Sequence, residues 1–517
     1  MFSRIRQFLL KHPVVSLCIA AAGVYACHLI TLVDYPAAWL DEIWILEIGR
    51  SSIFDVHPEN SIVLFPSTGD ALNPMGPNAT YIFCFIQEAL FRLTKSFICG
   101  RAFALSSLPI AAILLFLWLR TKTISVGIAL ITSLLFLTDP NATICARWYR
   151  PDIWTTAFVF LAMVLLARSR NASTGKRICI CIFTGALSAF LPFFWISSAT
   201  LLPLIAWEAL LSERDKTGSI RLKRTFRDAS CFIAAWLLAT VIILIPLLPH
   251  MEAVLGHFAN HTEIGTGFKG FGTLTDRLID FIKIAGRSPC VWTLALAGVL
   301  LSFRKYSMHI ALFTLVGAVI LSTRVYHLRM IQLLPFLFLF TALALERLAA
   351  LPYWRTKVFI VGGVQFGYFA LSVLALNYAA WPTENTYRSF TDKLKAAAPK
   401  GLERVYLLDS EYETYYSGRE LGWRMYAFQN HKFFFDLTQS ANLIDKVDAV
   451  IVSSAVTPPL TEKQKQMLAD HGFRKTGGVT MPQGQPNAVK SFLAKLFYAH
   501  GYPSCDVYVR TAGAGDH

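Results

Sequence analysis

The sequence predicts a polytopic α-helical membrane protein with about eleven transmembrane helices. Interfacial helices are expected in its first outside loop, and a small extracytoplasmic α/β domain at its C-terminus. Three observations carry this prediction. Of the 517 residues, 55 % are hydrophobic and only 16 % charged, with a mean hydropathy of +0.48; soluble domains carry about 25 % charged residues. Apolar runs of span length recur down most of the chain. Lysines and arginines gather in alternate connections between those runs, as the positive-inside bias requires. Such a composition excludes a disordered chain, a disulfide-framework peptide and a plain cytosolic enzyme.

The candidate spans are roughly 13–33, 101–119, 124–138, 152–167, 179–195, 196–211, 230–248, 289–303, 307–322, 330–345 and 358–377. Arg4, Arg6 and Lys11 place the N-terminus inside. No small-residue cleavage site precedes Asp34, so the first run reads as a retained span. Arg120 and Lys122, then Arg168 to Arg177, Arg214 to Arg227, Arg304 and Lys305, and Arg347 to Lys357 all fall on the same inner side. An odd number of spans puts the C-terminus outside. These inner segments hold 20 of the 48 Lys and Arg but 4 of the 33 Asp and Glu. The formal charge of +15 is therefore a topology signal and calls for no nucleic acid.

The membrane part spans 1–378 and includes a first outside loop, 34–100, with eight acidic residues against three basic ones. Residues 41–53 are apolar-rich and read as helical. Pro58, Pro66, Pro74 and Pro77 break the middle. Residues 80–99 read as an amphipathic interfacial helix with Glu88, Arg92, Lys95 and Cys99 on one stripe. The tail, 379–517, is too polar to insert. Val405–Leu408, Ala449–Val452 and Val507–Val509 read as strands, Thr461–His471 and Ala488–His500 as helices. Cys179 and Cys181 read as packing residues, since no histidine lies near them to complete a metal site.

Four constellations could carry chemistry. The first is Trp39-Leu-Asp41-Glu42-Ile-Trp44, just beyond the first span: either solvated acids between interface anchors, or a carboxylate pair of which one member acts as a base. The second is Arg147-Trp-Tyr-Arg150-Pro-Asp152, in a turn between the third and fourth spans. Arginines on the outer side run against the charge bias. Their forks suit phosphate, though an Arg–Asp pair could simply pin the loop. The third is Thr323-Arg324-Val-Tyr326-His327-Leu-Arg329, for which a lipid-headgroup contact is the plain alternative. The fourth, Gly265 to Gly272, is a weak anion-loop signal. Asn78, Asn141 and Asn260 head N-x-S/T triplets on the outer side, a pattern common by chance.

The acidic Asp41-Glu42 loop, Asn73-Pro74 with Pro77, Gly100-Arg101, the Arg147/Arg150/Asp152 element, Arg329 before Leu334-Pro335 and the outside tail together resemble one family. These are the polyprenyl-phosphate-sugar-dependent glycosyltransferases of the type C fold, and within them the family 39/83 group of protein O-mannosyltransferases and lipid A aminoarabinose transferases. The resemblance implies a lipid-linked sugar donor used outside the cytoplasm, with Asp41 as general base and Glu42 beside it. It further implies that Arg150, Asp152 and Arg329 line the donor cavity; Arg147 and Tyr326 are candidates beside them. Met330 stands where the family has Tyr, and Asn73-Pro74 where it has His-Pro-Pro.

The expected partners are that donor, a lipid, glycan or protein acceptor, and membrane lipids; the expected location is a bacterial inner membrane. No cofactor is expected, although Asp41, Glu42 and Asp152 leave a divalent cation open. No dinucleotide or P-loop motif occurs. The rival readings are a lipid-linked-sugar flippase, disfavoured because the spans carry almost no Asp or Glu beyond Glu208, a scaffold or polymer-export component, and a glycan ligase.

Overall fold

The computed structural model describes residues 11–32, 42, 45, 63–66, 72–74, 80–94, 97–148, 150–212, 222–251, 274–322, 327–353, 357, 360–365, 367–371, 389, 392–393, 396–397, 405–408, 433–434, 449–453, 460, 462–481 and 504–510. The chain divides into two units. One comprises 1–29, 78–82 and 101–372; the other comprises 30–77, 83–100 and 373–517. The first outside loop thus clusters with the tail rather than with the spans around it.

The first unit is helical. Its elements are α1 (Pro13–Leu29), α3 (Phe97–Thr121, beginning in the other unit), α4 (Val126–Leu137), α5 (Pro140–Arg147), α6 (Asp152–Ser169), α7 (Thr174–Phe194), α8 (Leu202–Ser212), α9 (Leu222–Leu244), α10 (Leu274–Ala285), α11 (Pro289–Ser302), α12 (Ser307–Ser322), α13 (His327–Met330) and α14 (Leu334–Ala349). Helix α2 (Tyr81–Thr94) belongs mostly to the other unit. Short 3-10 turns at Ile196–Leu201 and Ile331–Leu333 lead into α8 and α14. Among the described residues, five helices are long and apolar enough to cross a membrane, seven if each bent pair counts as one crossing. Four shorter apolar helices, including Ile360–Leu371, complete the set, so every predicted run coincides with a helix.

Burial separates centre from periphery. The Leu328–Ala349 span, which contains α14, is 89 % buried, whereas Arg224–Pro249, carrying most of α9, is 6 % buried. An apolar helix left this exposed by its own protein finds its solvent in lipid. Helix α14 packs on α11 and α4, α9 on α7, and α1 on α4. Two glycines permit the closest of these approaches. A Cβ at Gly298 would collide with the Phe340 carbonyl, and one at Gly185 with that of Phe232. Trp118, Phe136, Phe160 and Phe338 fill the centre with rings 5.0 to 6.1 Å apart.

Two helices correct the sequence reading. Residues 140–147, expected as a turn, form α5: Asp139 caps it by accepting from the Ala142 amide at 2.9 Å, and Pro140 takes the first position. The segment 249–288, expected as an outside loop, contains α10, which meets α11 at a bend of 108°. Its surface divides three ways. Ile284 is buried, Leu274, Leu278 and Ile282 are exposed, and Asp280 and Lys283 pair at 3.1 Å. A helix roughly perpendicular to a span, with separate apolar and charged faces, suits the membrane interface.

Buried charges also tie the helices together. Lys122 Nζ donates to both Glu208 oxygens at 2.6 Å, and His309 Nε2 lies 2.9 Å from Glu208 Oε1. Arg177 and Arg227 flank the buried Asp228.

In the second unit, β1 (Val63–Pro66) pairs antiparallel with β2 (Leu72–Pro74) and parallel with β4 (Phe433–Phe434). The four-stranded sheet of the tail has the order β3-β5-β7-β6, from β3 (Val405–Leu408), β5 (Ala449–Ser453), β6 (Phe473–Val479) and β7 (Cys505–Arg510). Helix α15 (Glu462–Asp470) covers β6. The three predicted strands and the first predicted helix are present. Strand β6 escapes prediction because Gly477-Gly478 interrupts its pattern and its outer residues do not alternate. The second predicted helix, Ala488–His500, lies outside the described residues.

Candidate active site

Among the described residues, Arg147, Arg150, Asp152 and Arg329 meet at one end of the first unit, where α1 finishes, α5 runs, and α6 and α14 begin. Arg147 closes α5 and is fully buried. Its Nη1 donates to His28 Nδ1 at 3.0 Å and to the His28 carbonyl at 2.9 Å, so the end of α1 holds it. Arg150 is 3 % exposed: its Nε donates to Asp152 Oδ2 at 2.8 Å, and its guanidinium stacks over Trp195 at 4.7 Å. Asp152 starts α6 and stands at that helix's positive end. The Arg–Asp pairing weighed as a loop pin is therefore present, and it fixes Arg150 in one orientation.

Arg329 lies half-buried on α13, which packs against α5 and so brings the third constellation to the second. Just beyond it, Gln332 Nε2 donates to Ser197 Oγ at 3.1 Å. Gln332 Oε1 and the neighbouring Ser198 Oγ are buried without a partner.

Helix α5 is also bound to the turn between α10 and α11. Ser288 donates to Asp139, and Asn141 Nδ2 donates to the Ile284 carbonyl at 3.1 Å and to Ser288 Oγ at 3.3 Å. Asn141 is 5 % exposed and spent on these bonds, which removes its N-x-T triplet as a modification site. The same turn carries Arg287, which acts electrostatically on Cys145 together with Asp139 and Asp152.

His28, Arg287 and Gln332 were not singled out from the sequence. Each is an isolated polar residue at the end of an apolar run. For Arg287 a signal did exist, since it is one more arginine on the outer side. His28 gives none, because its partner lies 119 positions away.

Arg101, Arg147, Arg150 and Arg287 are buried at this end, against Asp139 and Asp152. Buried charge is costly unless compensated, so these side chains are held by close partners. In the second unit, Glu42 is helical and fully buried, which takes it out of the solvated class. Asp41, Tyr326 and the Gly265–Gly272 motif lie outside the described residues. Among the described residues no three His, Cys, Asp or Glu side chains gather as a metal-ligand set.

These features define a class of fold: a polytopic helical membrane bundle, with a second unit made of its first loop and an α/β tail. The solved structures with this fold are specific. ArnT from Cupriavidus metallidurans bound to undecaprenyl phosphate superposes with a TM-score of 0.56 at 12 % identity, over 98 % of this chain and 99 % of that one. Its apo state gives 0.55 at 13 % identity, with the same coverage. The mycobacterial arabinofuranosyltransferase AftD gives 0.54 at 12 % identity, over 97 % of this chain and 42 % of its own. No protein-family profile and no curated sequence matches the chain.

Proposed function

We propose that the protein is a membrane glycosyltransferase that moves a sugar from a polyprenyl-phosphate donor to an acceptor hydroxyl on the extracytoplasmic face. The observation that carries this reading is the gathering of buried arginines, Arg147, Arg150 and Arg287, around α5, in a chain with the fold of an ArnT bound to undecaprenyl phosphate. A lipid donor reaches such a site laterally through the bilayer.

In the proposed step the Asp41 carboxylate takes the proton of the acceptor hydroxyl. The hydroxyl oxygen attacks the anomeric carbon with inversion, through an oxocarbenium-like transition state. The bond from that carbon to the phosphate oxygen breaks, and polyprenyl phosphate leaves with the electron pair. Arg147, Arg150 and Arg329 stabilise its growing negative charge. Glu42 is the second carboxylate of the catalytic pair, and Asp152 and Tyr326 belong to the donor cavity. The step needs no divalent cation, so transfer is expected to persist in excess EDTA.

The test is Asp41→Asn in proteoliposomes. The variant is expected to bind undecaprenyl phosphate as wild type does and to lose transfer from radiolabelled lipid-phosphate sugar. Full transfer would remove Asp41 as base. One observation favours the flippase reading: the buried Lys122, Glu208 and His309 set among the spans. Lipid crossing without label transfer in the same assay would favour that reading instead.

A further inference from the structure

We infer that Ser197 is a specificity-determining residue that reads a hydroxyl group of the donor's sugar, and that Gln332 is the positioning residue that orients it; the inference rests on the lipid-linked sugar donor proposed above. The two belong to the 3-10 turns Ile196–Leu201 and Ile331–Leu333, which pack on each other and on α6. Both turns border the arginines. Trp195, whose ring lies 4.7 Å from the Arg150 guanidinium, comes two positions before Ser197, at most about 7 Å of chain away. Arg329 comes three positions before Gln332.

Hydrogen bonding joins the pair and leaves part of it unused. Gln332 Nε2 donates to Ser197 Oγ at 3.1 Å. A hydroxyl has one hydrogen and two acceptor sites, so the Ser197 hydrogen is left for another group. Turning the carboxamide round reverses the bond but not the outcome: Oε1 then accepts from Ser197, and Nε2 is the amide atom left over. In either arrangement one end of a side chain only 2 % exposed has no partner, and the fully buried Ser198 hydroxyl has none either. A clamp between two turns needs one hydrogen bond; it does not account for two further buried polar atoms on those same turns. Ser197 itself is half-buried, so the pair has one accessible member.

The chemistry of the pair names the ligand class. It carries no charge, and phosphate binding is already supplied by the arginines. A carboxamide and a serine hydroxyl suit a partner that donates and accepts at once, as a sugar hydroxyl does. Such a site rejects an analogue without the hydroxyl, because its own polar groups would be left unpaired. The place fits too: in the donor the sugar is joined directly to the phosphate, and the pair stands beside the arginine assigned to that phosphate.

The experiment uses the full chain in lipid nanodiscs and measures dissociation constants for undecaprenyl phosphate, bare and carrying mannose, glucose or arabinose. Wild type is expected to bind one of the sugar forms more tightly than the bare lipid. Ser197→Ala is expected to bind that form about five- to tenfold more weakly, the scale of one lost hydrogen bond, and the bare lipid within about twofold of wild type. Ser197→Thr keeps the hydroxyl and should bind as wild type does. Gln332→Met should reproduce Ser197→Ala, and the double variant should lose no more than either single one, because the two act as a pair. Equal weakening for bare and sugar-bearing lipid overturns the sugar assignment, since the pair would then serve the phosphate. Unchanged binding of both lipids in Ser197→Ala also overturns it, since the hydrogen bond would then serve the fold alone. So does a wild type that binds no sugar form more tightly than the bare lipid. Should Gln332→Met fail to fold, the two Ser197 variants decide. A wild type that binds neither bare nor sugar-bearing lipid overturns the donor reading itself.

Discussion

Glu208 answers to three elements at once: it sits on α8, takes Lys122 from the end of α3 and meets His309 on α12. It is 3 % exposed, so its charge survives burial only through these partners. Glu208→Gln leaves Lys122 short of its counter-charge. The expected loss is about 3 kcal/mol or more, as for other broken buried pairs. The double variant Lys122→Met with Glu208→Leu removes both charges and should recover most of that loss. Denaturation of the full chain in detergent micelles measures both; an unchanged Glu208→Gln protein would show that the pair is not stabilising. At the outer end, Arg150→Lys tests a different property. Lysine cannot both bond Asp152 and lay a planar group over Trp195. Donor binding is expected to fall about tenfold, the scale of one lost charge-assisted contact, with little change in melting temperature.

Helix contacts depend on what the glycines leave out. Gly298→Ala would drive a methyl group into the Phe340 carbonyl, so α11 and α14 must separate. The cost expected for such overpacking is about 1–3 kcal/mol. Gly317→Ala on α12 meets nothing within 4 Å and should be neutral, or stabilising by about 1 kcal/mol through helix propensity. Melting temperatures of the two variants, compared side by side, check the pair. The same scale shows what sequence could reveal. The spans were legible because each is an apolar run with basic ends. Helix α5 was not, since its eight residues mix small polar and apolar types, although Asp139-Pro140 is a readable start signal. Helix α10 hid because Asp276, Arg277, Asp280 and Lys283 hold its twelve residues below the hydropathy of a span, although its apolar residues keep to one face. In the site, Arg147, Arg150 and Asp152 stood out as charges on the less positive side. Their holders, His28 on α1 and Trp195 just after α7, lie far off in the sequence, and nothing local marks them.

At the scale of the whole molecule, the pairing of β1 with β4 decides topology. One strand comes from the first loop and the other from the tail. Backbone hydrogen bonds cannot join strands across a hydrocarbon core, so both strands lie on one side of the membrane. The chain must then cross an even number of times between Pro66 and Phe433, whatever the crossing number of each short helix. Eleven spans satisfy this, with one before the first loop and ten after it. Counting only the five long helices as crossings does not, because all five lie between the two strands and five is odd. An epitope tag placed in the first loop after Asn60 and one placed after His517 should therefore show the same accessibility in sealed vesicles. A tag near Lys216, in the basic segment between α8 and α9, should show the opposite accessibility. If the first-loop and C-terminal tags differ, the strand pairing is wrong; if the Lys216 tag matches them, the charge-derived orientation of that segment is wrong. The two results separate cleanly, because the first depends only on hydrogen-bond geometry and the second only on where the arginines and lysines stop.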